Sequence, residues 1–427
     1  CAAAPRPMRR RARDARSVGR LKPPVVVPAA AAPPGGASGG PRAVLAPMAA
    51  LLCAYFAYIG IFSPYLSLWL AERGMSIAQI GILMSLPQVL RIVGPPAWGW
   101  AAGRLAPEHV LLRAAGIASA ISVAGLFVAD GFTGLALVLL LVFFATSGIV
   151  PIGEAITLRA VEGDAGRYGR VRVWGSVGFV GAVLAAGPLL DRFGLSWLPV
   201  LMLATMAAVA ALAWRLPASA PRASTGPRVR LRQRLREPAI AAFFASCFLM
   251  IFAHAGLYAF YSLYLEHHGY SRSMIGAMWA LGVVAEIALF FWQRPLFSRV
   301  SALALLSASF LVCALRFGAI AWAAGALVPL VLAQLLHAVT YGVHHSATMA
   351  MLHRWFDGPT QARAQAAYVA IGYGLGGASG GLAASLAWER FGPQAVFLLG
   401  AAAALAGWLA VVVCRRLDYA GRPRSSN

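Results

Sequence analysis

The sequence predicts an all-α polytopic membrane protein of twelve transmembrane helices in two pseudo-symmetric six-helix bundles. Three observations lead there. Of the 427 residues, 60% are hydrophobic and 12% charged, about half the charged share of soluble domains. The apolar residues come in blocks long enough to cross a bilayer, which takes about 20 residues. One half of the chain also echoes the other at a constant spacing.

The blocks fall at 44–70, 77–102, 109–129, 132–159, 171–190, 195–214, 239–265, 274–293, 301–322, 326–355, 361–387 and 393–414. They divide the chain into a basic tail (1–43), a first bundle (44–214), a linker (215–238), a second bundle (239–415) and a short tail (416–427). The first tail is rich in Ala, Pro, Arg and Gly, a composition that buries no core and is expected to stay disordered. The linker, "RLPASAPRASTGPRVRLRQRLREP", is basic throughout.

The net charge of +22 would suit a nucleic-acid binder, but the charges sit in connectors and tails, which excludes that reading. They instead set orientation, because Lys and Arg concentrate on the cytoplasmic side of short loops. With both termini inside, 30 basic residues fall inside and 4 outside (Arg73, Arg192, Arg272, Arg390), and only Arg91 and Arg316 lie within the membrane. A multi-pass membrane protein with cytoplasmic termini follows, with the lipid bilayer as its surroundings; the expected location is a bacterial inner membrane. The five cysteines are scattered and form no metal spacing or disulfide framework.

The repeat is clearest where "SLWLAERGMSIAQIG" (67–81) aligns with "SLYLEHHGYSRSMIG" (262–276) at an offset of 195, matching Gly74 with Gly269 and Ser76 with Ser271. "DRFG" (191–194) is echoed by "ERFG" (389–392). Parallel six-helix repeats are one construction of secondary transporters, with the substrate site between the halves near the midplane. The offset also places Glu286 where Arg91 stands in the other half.

An ionisable side chain inside a membrane costs about 2.5–3.5 kcal/mol on insertion scales and marks a bundle interior or wet cavity. Arg91 and Glu286 therefore read either as anion and proton sites or as a buried pair holding the halves together. Glu154 reads as a gating or packing carboxylate paired with Arg159 or Arg172. Arg316 reads as a structural partner or a snorkelling arginine as readily as a substrate contact. His337 and Tyr341 share one helix face, His344 and His345 follow, and histidine suits proton coupling. Tyr58, Tyr65 and Tyr258 lie on two aromatic faces in equivalent helices that could sandwich a ring. "GYGLGG" (372–377) fits G-x-G-x-x-G, but inside an apolar block it is no dinucleotide site. Gly372, Gly376 and Gly380 instead allow close helix packing.

In "YFAYIGIFSPYLSLWL" (55–70), "RIVGPPAWGWAAGR" (91–104), "YGRVRVWGSVGFV" (168–180), "GVVAEIALFF" (282–291), "QLLHAVTYGVHHSATM" (334–349) and "YGLGGASGGLAA" (373–384) the chain resembles the major facilitator superfamily. It is similar, more narrowly, to its phenylpropionate permease family, which is related to lactose and nucleoside proton symporters. The resemblance covers about 44–415. It implies a proton-coupled importer of an aromatic carboxylate such as 3-phenylpropionate, and Arg91, Glu286, His337 and His345 match the residue types of relatives. One departure concerns the loop motif G-x-x-x-D-R: Gly99 and Arg104 are kept, but Gly103 replaces the acid that helps latch one conformation.

The expectation is a secondary transporter, not an enzyme, working by alternating access as a monomer, with a small-molecule substrate, no nucleic acid and no cofactor beyond the proton gradient. Arg91, Tyr58, Tyr65 and Tyr258 are assigned to substrate, Glu286, His337 and His345 to protons, and Arg104, Glu154 and Arg316 to gating or structure. The alternatives are an exporter of hydrophobic compounds, a sugar or nucleoside symporter, or a membrane sensor that transports nothing.

Overall fold

The computed structural model describes residues 41–162, 164–218 and 231–420. Among them, twelve helices are long and apolar enough to cross a membrane: α1 (Val44–Glu72), α2 (Ile77–Arg104), α3 (Glu108–Phe127), α4 (Gly131–Ala160), α5 (Gly166–Phe193), α6 (Leu195–Ala213), α7 (Pro238–His267), α8 (Arg272–Trp292), α9 (Ala302–Ala323), α10 (Leu327–Trp355), α11 (Thr360–Phe391) and α12 (Gln394–Asp418). The described residues contain no strand.

The expected blocks coincide with these helices to within a few residues, with two differences. The fifth helix begins at Ala165, not 171, because Asp164 caps it by accepting a hydrogen bond from the Arg167 N–H (3.0 Å). That amide also holds the Asp164 carboxyl below its usual value. The last helix continues past 415 to Ala420, so the tail expected from 416 starts as helix. Half of the expected linker (219–230) and most of the first tail (1–40), with 421–427, lie outside the described residues.

The repeat is structural. Gly74 and Gly269 have φ of 79° and 81°, a left-handed conformation that glycine adopts without a Cβ clash. Two residues on, Ser76 and Ser271 each cap a helix through the side chain, accepting from the Gln79 and Met274 N–H groups (3.3 Å each). The packing is doubled too: α1 rests on α5 and α6, and α7 rests on α11 and α12. Between the halves, α2 packs on α11 and α5 on α8, contacts that a two-fold axis exchanges.

We call the end where α1 begins and α12 ends proximal, and the opposite end distal. Among the described residues the hydrogen bonds between the halves gather toward the distal end. Tyr65 Oη donates to the Arg272 carbonyl (3.2 Å), the Ala78 N–H donates to Glu389, and Ser85 Oγ reaches the Ala378 carbonyl (3.3 Å). Large apolar side chains such as Ile121, Leu315 and Trp322 are exposed on the outside of the bundle, as a lipid-facing surface requires.

The spaced glycines of α11 bring it against α7. A Cβ on Gly376 would stand 2.6 Å from the Phe248 carbonyl oxygen, and one on Gly380 2.5 Å from that of Phe252. Both neighbours are backbone and cannot rotate away. Gly380→Leu should therefore cost about 1–3 kcal/mol by overpacking and lower the Tm in detergent. Gly181→Ala, where a Cβ meets nothing within 4 Å, should leave the Tm unchanged.

Candidate functional site

A cavity of about 330 Å³ lies between the halves, lined from both, a volume in the range of small-molecule sites. The first half supplies Ser63, Gln88, Arg91 and Arg172, and the second supplies Tyr258, Trp279, Glu286, His337, Tyr341 and Tyr373. Arg91 and Arg172 stand on the first-half wall, and Glu286 and the buried Arg316 on the second.

Arg91 and Glu286 face the same cavity but do not pair. The Arg91 guanidinium lies over the Tyr373 ring, 5.0 Å from its centroid, a favourable cation–π placement. Among the described residues it is in no ion pair. Glu286 turns to its own half, with Oε2 3.7 Å from His337 Nε2. Both side chains are largely buried, at 17% and 10% exposed. His337 Nδ1 is buried, with no hydrogen-bond partner among the described residues.

From His337 a ladder of rings descends α10. His337 stacks on Tyr341 (5.4 Å, 12°), and Tyr341 on His345 (6.3 Å, 8°). His345 sits beside Tyr368 (6.4 Å) and not in the cavity wall. Tyr341 Oη is 2.9 Å from Tyr373 Oη, so α10 and α11 meet through two hydroxyls. Each tyrosine stands in a π-helical stretch, Ala338–Val343 and Val369–Gly376. The wider turn shifts the register of the helix and re-aims side chains, which is why such turns recur at functional sites.

Arg316 is wholly buried and fully engaged. Nε donates to the Ala333 carbonyl (2.8 Å), Nη1 to Thr340 Oγ1 (3.2 Å), and Nη2 to Gln334 Oε1 (3.2 Å). Nη1 also stands 3.5 Å from His254 Nε2. His254 Nδ1 lies 2.9 Å from the Met250 carbonyl, which accepts only, so the proton belongs on Nδ1 and Nε2 is free to accept. Arg316 thus ties α7, α9 and α10 together, and it also borders the cavity.

Two sequence expectations are corrected. Tyr65 does not reach the cavity. Its side chain is fully buried, and its hydroxyl donates to the Val183 and Arg272 carbonyls (3.1 and 3.2 Å) near the distal end. Tyr58 is buried behind Phe62, on which it stacks (5.6 Å, 14°), and Phe62 lines the cavity in its place. The even spacing of the aromatic face of α1 gave no sign of which rings the neighbouring helices would cover. Tyr258 does line the cavity, 5.9 Å from Trp279. Glu154 lies 3.9 Å from Arg172 and accepts from Tyr168 Oη (3.4 Å), whereas Arg159 pairs with Glu108. Arg104, at the end of α2, lies over Trp100 (5.7 Å).

Trp279, Tyr341, Tyr373 and Arg172 were not singled out from the sequence as site residues. The signal for Tyr341 was its shared face with His337. Tyr373 was hidden in a glycine run whose packing role is real. Trp279 is held by its indole N–H, which donates to Ser262 Oγ (3.0 Å), a partner 17 residues away.

The sequence profile of the MFS_1 like family matches residues 45–399, and the chain belongs to that family of major facilitator transporters. It is 32% identical over 350 residues to a probable 3-phenylpropionic acid transporter of Escherichia coli (strain K12), covering 78% of this chain and 88% of that one. It is 28% identical over 372 residues to a maltose permease of Geobacillus stearothermophilus, covering 85% and 92%. The crystal structure of the nucleoside transporter NupG superposes with a TM-score of 0.78 at 17% identity, covering 87% of this chain and 99% of that one. The protein is therefore a multi-pass secondary transporter acting on small molecules, and not an enzyme.

Removing a buried donor leaves its acceptors unsatisfied, at about 1–3 kcal/mol for each buried polar group. Arg316→Leu should therefore lower the Tm sharply. Arg316→Lys should recover little, because an ammonium cannot span three acceptors on two sides of a planar fork. Thermal unfolding in detergent, with ligand absent, measures both.

Proposed function

We propose that the protein imports a small aromatic carboxylate, 3-phenylpropionate or a near relative, together with protons. The observation that carries this reading is Arg91: a guanidinium in an aromatic-walled cavity, stacked on a ring and paired with no carboxylate among the described residues. Such a group suits a substrate carboxylate, which it can hold by two parallel charge-assisted bonds. Tyr258 and Trp279 offer faces for the ring.

Glu286 beside His337 is the proton carrier in this scheme. A proton on the pair removes a negative charge from the cavity that a substrate carboxylate enters. Deprotonation restores the charge and favours release. His345, two rings further down α10, is assigned to the same relay. Arg104 and the Glu154–Arg172 pair are assigned to gating at the proximal end. The excess of Arg and Lys at that end supports placing it in the cytoplasm of a bacterial cell, with the cavity then closed toward the outside. The protein acts as a monomer, with each half a wall of one site, and the proton gradient is its energy source.

Purified protein in proteoliposomes tests this with labelled 3-phenylpropionate and an imposed pH gradient. Accumulation that collapses with a protonophore is expected. Uptake independent of the gradient, or uptake of maltose or nucleosides in its place, would overturn the reading. Arg91→Gln should weaken carboxylate transport roughly 10–100-fold, the value of hydrogen bonds to a charged group, with the Tm kept. Glu286→Gln should retain substrate exchange at equal concentrations and lose gradient-driven accumulation.

A further inference from the structure

The tetrapeptides "DRFG" (191–194) and "ERFG" (389–392) stand outside the cavity and have no part in the scheme above. They end α5 and α11, the two helices that pack across the half-to-half interface on α8 and α2. In each, the glycine has positive φ (Gly194 84°, Gly392 88°) and stops the helix three residues after the carboxylate. Asp191 and Glu389 therefore sit in the last turns of their own helices. That is the wrong end for an anion, because the carbonyl end of a helix carries the partial negative charge.

Each carboxylate is instead turned to the start of a helix in the other half. Asp191 Oδ1 accepts from the Arg272 N–H (2.9 Å), and Oδ2 accepts from the Ser273 N–H (2.9 Å) and the Ser273 hydroxyl (2.5 Å). Glu389 Oε1 accepts from the Ala78 N–H (2.9 Å). Ala78 and Ser273 are 195 residues apart, the offset of the internal repeat, so the two contacts are images of one another. First-turn N–H groups have no partner within their own helix, and the positive helix end adds attraction.

We propose that Asp191 and Glu389 are paired gate residues: each half contributes one carboxylate and one helix N-terminus, and the two crossed clasps hold the distal end of the cavity shut. The contacts are made to be broken. Both carboxylates are exposed, at helix ends, so water can replace every bond when the halves part. The clasps bias the closed state without locking it. They are unequal, three bonds against one, so Asp191 contributes more. The inference goes beyond the proposed function and depends on neither its substrate nor its coupling ion.

Distance measurement between two spin labels tests it on the full chain in lipid nanodiscs. Thr133→Cys, at the start of α4, and Ala326→Cys, just before α10, place exposed labels at the distal end of opposite halves, in a background with the native cysteines replaced. Asp191→Asn with Glu389→Gln should raise the ratio of long to short distances about tenfold, the scale of a lost charge-assisted hydrogen bond. Asp191→Asn alone should shift it more than Glu389→Gln alone, and Asp191→Glu should shift it least. Arg192→Gln, one residue along and likewise exposed, should not move it. An unchanged distribution in the double variant overturns the proposal, as does an equal shift in Arg192→Gln. If the variants at 191 fail to fold, Glu389→Gln alone must still lengthen the distances, and its failure to do so overturns the proposal equally.

Discussion

The second half of the molecule depends on how one buried guanidinium is satisfied. Arg316 lies among apolar helices where a charge without hydrogen bonds is costly, and it spends its donors on a backbone carbonyl, a hydroxyl and an amide. Those partners belong to α10, and His254 of α7 stands at the edge of the set. The consequence is geometric. With α7, α9 and α10 pinned, His337 is held within ion-pair reach of Glu286, and Tyr341 within hydrogen-bond reach of Tyr373. Arg316 also borders the cavity and lies over the Phe317 ring, as Arg91 lies over Tyr373, but of the two only Arg316 hydrogen-bonds to neighbouring groups among the described residues. Two intramembrane arginines of similar appearance in the sequence therefore stand in different settings: Arg316 bonds to a neighbouring helix, and Arg91 lies over Tyr373.

The doubling of the chain explains why such a division is possible. Both halves use the same helix starts, the same helix-to-helix packing and the same glycine-ended helices at the distal end. On that common frame, equivalent positions in α2 and α8 carry Arg91 and Glu286. The cavity therefore has Arg91 on one wall and Glu286 on the other. Alternating access needs halves that separate cleanly. Here, among the described residues, the hydrogen bonds between them gather toward one end, some of them at exposed helix termini.

Much of this was legible in the sequence, because bilayer physics leaves few options. Twelve apolar blocks, the basic connectors and the offset of 195 residues define the helices and their pairing. Arg91 and Glu286 stand out simply because charge is rare there. Side-chain direction was less legible. Tyr58, Tyr65 and Tyr258 look alike along a helix face, yet Tyr65 bonds to carbonyls across the interface, Tyr58 is shielded by Phe62, and Tyr258 alone reaches the cavity. The π-helical turns in α10 and α11 shift the register at Tyr341 and Tyr373, and a regular 3.6-residue periodicity cannot anticipate such shifts. Trp279 depends on a serine from another helix, a pairing that local sequence does not carry.

The central claim is that the substrate carboxylate belongs to Arg91 and the proton to Glu286 and His337, two sites in one cavity that are coupled by charge. Linkage makes this measurable without any membrane gradient, because a ligand that favours the protonated pair must draw a proton from solution as it binds. The direct measurement is proton uptake by detergent-solubilised protein in weakly buffered solution on addition of 3-phenylpropionate. The account predicts uptake approaching about one proton per ligand bound, abolished in Glu286→Gln while binding persists. Binding with no change in solution pH at any starting pH would contradict it.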